Sequence, residues 1–87
     1  MSDLDYLNLS TDMRRISVWL LTGRENLAEH FMTKLNGKFK GSQIILGKRS
    51  LGEWLDRVND YENRGWKSAE DALTLSVLLK NRYLKNG

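Results

Sequence analysis

Apolar residues recur along this chain at steps of three and four, the spacing that puts them on one face of a helix. Met13, Ile16, Trp19 and Leu20 predict a first helix over residues 10–21, with Ser10, Thr11 or Asp12 supplying its N-cap oxygen. A second stripe runs through Leu27, Ala28, Phe31, Met32 and Leu35. Thr22 and Glu25 are spaced as a capping box at its start, and Asn36-Gly37 is a left-handed terminator at its end. At 100° per residue the two stripes stay in phase, so one continuous helix is conceivable. Continuity would point Arg24 into the apolar face beside Leu20, Leu27 and Phe31, and burying an unpaired guanidinium is costly. A break at Thr22-Gly23 is therefore expected.

The third helix carries the cleanest pattern: Leu51, Trp54, Leu55, Val58 and Tyr61, opened by a Ser50-to-Glu53 capping box and closed at Arg64-Gly65. The fourth is expected from Ser68, with Glu70 and Asp71 in its first turn and Lys80, Arg82 and Lys85 in its last, both complementing the helix dipole. Leu73, Leu75, Val77, Leu78, Leu79, Tyr83 and Leu84 cover more than one side of it. A helix apolar over so much of its circumference is central to the fold or shared with a second copy. Between the second and third helices, Gly37, Gly41 and Gly47 interrupt the helical pattern. Ser42 to Leu46 suits a short extended stretch, which needs a hairpin partner or a symmetry mate; an irregular loop anchored by Ile44 and Leu46 is the preferred expectation. The predicted fold is all-α: one domain over residues 1–87, a small bundle of four helices with a glycine-rich basic loop between helices two and three. Residues 1–9 are expected to form an N-terminal arm.

Composition fits that picture. Eighty-seven residues, 40% apolar and 29% charged, belong to a folded domain with a thin core. A thin core gains area by self-association, so a homodimer is expected. The longest strictly apolar run, Val18 to Leu21, is far short of the ~20 residues that span a bilayer. The acidic start, Asp3 and Asp5, does not resemble a secretory signal, and a cytoplasmic protein without membrane attachment is expected. With no cysteine, disulfides, thiolate metal sites and thiol catalysis are excluded.

Charge is uneven. No acid stands between Glu29 and Glu53, where Lys34, Lys38, Lys40, Lys48 and Arg49 accumulate; elsewhere nine basic and eleven acidic residues net −2. The whole +3 excess therefore comes from this segment. Lys34, Lys38, Phe39, Lys40, Lys48 and Arg49 are candidate anion or nucleic-acid contacts, with Lys48 and Arg49 beside the free amides opening the third helix. Gly41 to Ser50 imitates a phosphate-binding loop. Five residues rather than four separate its glycines, and Arg49 intervenes before the hydroxyl, so nucleotide hydrolysis is rejected.

Catalytic chemistry has no carrier. His30 has no acid at the helical positions three or four residues away, and the pairs Glu25/Glu29 and Asp56/Asp60 read as solvated acidic faces. No cofactor or metal is implied. Trp19 and Trp54 fall on apolar stripes, whereas Trp66 stands in the short connection before the last helix and is expected to close over the core end. The function expected is a non-enzymatic protein-interaction or regulatory module that self-associates through Trp19, Trp66, Leu75, Leu78 and Leu79, with an unidentified protein partner. Nucleic-acid binding through residues 34–49 is the alternative.

Overall fold

A computed structural model describes residues 2–86, with the side chain of Asn86 left undescribed. Five helices and one two-stranded hairpin follow in order: α1 (Asp3–Leu21), α2 (Glu25–Phe39), β1 (Ile45–Leu46), β2 (Arg49–Ser50), α3 (Leu51–Asn59), α4 (Tyr61–Arg64) and α5 (Trp66–Asn86). The helical class is as expected, and its boundaries differ in five instructive places.

The first is the N-terminal arm, which is helix. Ser2 caps α1 by accepting the Asp5 amide, and the Asp5 carboxylate accepts the Ser2 amide in return. This capping box starts the helix eight residues before Ser10, and Asp3 and Asp5 then sit at its positive end. Ser10 is instead buried at mid-helix.

The expected break between α1 and α2 exists, but its chemistry belongs to α1. Thr22 turns its hydroxyl back to donate to the Val18 carbonyl (2.8 Å), so it does not cap α2, which has no side-chain cap. Gly23 adopts φ +78°, and the Arg24 amide closes on the Trp19 carbonyl (2.7 Å), the long bond of a Schellman ending. Arg24 is left exposed, as its charge requires.

Third, α2 does not stop at Asn36-Gly37. It runs one turn further, which keeps Phe39 packed on the core above Leu35. The chain then leaves through a type II turn, Lys40 at φ −56°, ψ 131° and Gly41 at φ +83°, closed by Ser42 N–H to Phe39 C=O.

Fourth, the glycine-rich stretch is a hairpin and not irregular. Ile45 pairs with Ser50 and Leu46 with Arg49, across a two-residue loop in which Gly47 takes φ +67° and Lys48 does not take a positive φ. That is the type II′ geometry, which matches strand twist and wants glycine first. Leu46 is buried, and its carbonyl accepts the Trp54 indole N–H (2.8 Å), locking the hairpin to α3.

Fifth, the third segment divides into α3 and the single turn of α4, and α5 opens at Trp66 rather than Ser68. Ser68 lies inside and donates to the Arg57 carbonyl (2.9 Å). Asp71 holds Arg57 Nε (3.3 Å) and Arg64 Nη2 (2.5 Å), tying α3 and α4 to α5.

The longest contact is between the antiparallel helices α1 and α5. Ser10 Oγ donates to the Ser76 carbonyl (2.7 Å) and Ser76 Oγ to the Ser10 carbonyl (2.9 Å). Small side chains let the two backbones approach, and the reciprocal bonds satisfy both hydroxyls in the interior. Helices α2 and α3 and the hairpin pack on one side of this pair, enclosing Leu9, Met13, Ile16, Met32, Leu51, Leu55, Val58, Leu75 and Leu79. No helix among the described residues is long and apolar enough to cross a membrane.

Candidate interaction surface

The basic segment does not become one surface. Lys34 and Lys38 project from α2 into a groove of about 370 Å³ against α1, whose opposite wall carries Asp5, Asp12 and Arg15. No ion pair within 4 Å joins these groups among the described residues, yet the carboxylates share the groove with the lysines. The Asp5 carboxyl is held below its ordinary range, first by its bonds to Ser2 and less by the Lys38 charge. Lys38 also lies over the Phe39 ring (5.6 Å), and Phe39 is half-buried, so that ring is no open stacking platform. Lys40 stands in the type II turn and Lys48 at the hairpin tip, both exposed. Arg49 folds over the face of the buried Trp54 (5.4 Å).

The helix end beside Lys48 and Arg49 is already occupied by the chain. Leu51 N–H donates to Ile44 C=O (2.8 Å), Gly52 N–H to Ser42 C=O (3.0 Å), and Glu53 N–H to the Ser50 hydroxyl (3.2 Å). All three amides that would greet an anion are taken. The strap is close enough that a Cβ on Gly52 would meet Ser42 O at 3.2 Å. The expectation of open amides there is overturned, because the loop of residues 42–44 caps α3 with its own carbonyls.

The candidate interface residues separate just as sharply. Leu75 and Leu79 are 0% exposed and belong to the core, so they cannot touch a second molecule. Leu78 is half-buried against the hairpin, next to Gly47, and Trp19 is half-buried with its ring 5.1 Å from Phe31. Trp66 does not close over the core. It is 65% exposed, because starting α5 at Trp66 places Ser68 and Ala69 inward and turns the indole out.

What the residues do assemble is an apolar face on the outer side of α1 and α5. Seven of the nine large apolar side chains exposed among the described residues are on these two helices: Leu4, Val18 and Leu21, with Trp66, Leu73, Val77 and Leu84. On α1 they belong to the series 4, 7, 11, 14, 18, 21, and on α5 to 66, 70, 73, 77, 80, 84. Both series alternate steps of three and four, the seam spacing of a coiled coil. The core-facing residues of each helix lie on its other side, and among the described residues only Leu7 of the two apolar series is part-covered. Contiguous exposed apolar patches beyond a few hundred Å² mark interaction sites in general.

Little else offers chemistry. His30 is exposed at the edge of the Phe31 ring, and no group of three or more His, Cys, Asp or Glu residues among the described ones is placed to hold a metal ion. Tyr61 has its phenol held above the ordinary range by partial burial and by the carboxylates of Glu29, Glu62 and Glu25, which disfavour phenolate. No protein-family model, curated protein or solved structure matches the chain.

Proposed function

We propose that the protein is a non-enzymatic, cytoplasmic interaction module in which the four longer helices act as a bundle that presents the outer α1/α5 face to another polypeptide. The observation that carries this reading is the pair of unpartnered seams, seven large apolar residues confined to one side of two adjacent helices. Nucleic-acid binding through residues 34–49 has less support, since its cations stand on separate elements and the α3 amides are filled.

Site-specific photo-crosslinking in the native cell tests the reading. A photoreactive residue in place of Leu73 should trap a polypeptide, whereas the same group in place of Glu53, exposed on α3, should not. Equal or absent crosslinking at the two positions would remove the α1/α5 face as the working surface.

A further inference from the structure

Resting on that reading, we infer that the occupant of the α1/α5 face is a second copy of this chain, related by a two-fold axis that runs parallel to the two helices. Three observations converge on this. The first is area. The seven apolar side chains leave on the order of 700 Å² uncovered, against roughly 800 Å² per partner in a standard interface, so the face closed on its own copy reaches the size of a stable dimer.

The second is level. The Arg82 guanidinium over the Tyr6 ring (5.9 Å) and the Ser10–Ser76 bonds set the height of α5 against α1. Counting outward in opposite directions, Leu4 is level with Leu84, Thr11 with Val77, Arg14 with Leu73 and Leu21 with Trp66, each to within a turn. A two-fold axis along the helices keeps heights and exchanges sides, so α1 of one copy lies antiparallel on α5 of the other with these same residues opposed. Such a contact is self-complementary, as an isologous interface must be. Leu73 then arrives over a shallow hollow on α1 lined by Thr11, Arg14, Arg15, Val18 and Trp19. The first four stand at i, i+3, i+4 and i+7, the spacing of the hole that receives a knob in coiled-coil packing, with Trp19 at its edge.

The third is charge. The seams contain three charges, Arg14 on α1 and Glu70 and Lys80 on α5, and none of them makes an ion pair within its own chain among the described residues. In the two-fold arrangement Arg14 of one copy comes within a turn of Glu70 of the other, twice per dimer. A charge inside an apolar seam selects register and partner, here the chain itself.

Light scattering or sedimentation of the purified full-length protein, from low micromolar to millimolar, decides the matter. Wild type should approach twice its 10.1 kDa, with Trp66 emission shifting to the blue as the indole is covered. Leu73→Glu should remain at 10.1 kDa with unchanged far-ultraviolet circular dichroism, and Val77→Lys should do the same if Leu73→Glu folds poorly. Arg14→Glu or Glu70→Arg alone should weaken association about 10-fold, and the two together should return it to within about 3-fold of wild type. A wild type that stays at 10.1 kDa, a dimer indifferent to Leu73→Glu and Val77→Lys, or a charge exchange that fails to rescue would each overturn the inference. A monomeric wild type whose Leu73 crosslinks to some other polypeptide would sink the second copy alone; the absence of any such crosslink would sink the docking face with it.

Discussion

The outer α1/α5 face and the basic segment of residues 34–49 are opposites in how chain order maps onto space. The segment is contiguous in sequence and polarised in charge, yet folding sends its cations to a groove, a turn, a hairpin tip and an indole face. The face draws on residues 4–21 and 66–84, at the two ends of the chain, and folding makes them neighbours. Local charge density says little about a surface when the segment turns twice within sixteen residues, because each turn redirects its side chains. Helical periodicity says more, because 3.6 residues per turn hold a stripe on one side for the whole length of a helix.

The largest test of this contrast compares two positions on α5 that stand two residues apart. Leu75→Ala removes a fully enclosed side chain and should cost about 2–5 kcal/mol in urea denaturation. Leu73→Ala, measured where the chain is dilute, should stay within about 0.5 kcal/mol of wild type. Equal losses would mean that the two sides of α5 are not differently buried. Next comes the serine seam on which the face depends. Ser76→Leu forces a branched side chain between α1 and α5 and should lower stability by about 1–3 kcal/mol, while Ser76→Ala should lose only about 1 kcal/mol for its hydrogen bonds. If Ser76→Leu were neutral, close approach of the two helices would not be needed.

Two smaller effects sharpen the other side. Gly47→Ala places a Cβ 3.3 Å from Leu78 Cδ1 at φ +67°, and should cost about 1 kcal/mol. Lys48→Ala beside it should change stability by no more than about 0.5 kcal/mol, since its side chain is exposed. Thermal unfolding of the pair would show whether the hairpin matters as a structural clamp or only as a carrier of charge. The smallest effect is acid fraying of α1. The folded Asp5 carboxyl titrates below its ordinary value of 3.8, so its contribution is complete above that value and is lost as pH falls through the lower, folded one. Protection of the first-turn amides, relative to their intrinsic exchange at each pH, should fall over that interval in wild type and be already low in Asp5→Ala.

Much of the helical layout was legible from residue pattern. The amphipathic stripe of α3, its Ser50 cap and the break at Thr22-Gly23 all follow from local chemistry, and the folded chain has them. The early start of α1 was legible too, since Ser2 and Asp5 have capping-box spacing. The stripe of Met13, Ile16 and Trp19 does not extend to it, because Leu4 and Leu7 lie on a different side of the helix. The over-long α2 was not legible, because Gly37 tolerates the helix and only packing of Phe39 extends it. Nor was the exposed α1/α5 face. Leu73, Leu75, Val77 and Leu79 look alike as sequence, and which of them face inward depends on the rotation of α5 against α1.

Composition and periodicity by themselves determined a small, largely helical domain with more apolar helix surface than one thin core can cover. Tertiary structure alone decided which surface remained uncovered. The reciprocal Ser10–Ser76 contact orients two helices about their own axes, and that rotation directs Leu75 and Leu79 inward and Leu73 and Val77 to solvent. It also decided the fate of the cations, since the carbonyls of Ser42 and Ile44 reach the α3 amides only once the hairpin has closed. The rotation of α5 against α1 rests on contacts 66 residues apart, which no stretch of neighbouring residues encodes. The hairpin contacts are close in sequence, yet only the closed loop aligns its carbonyls with the α3 amides.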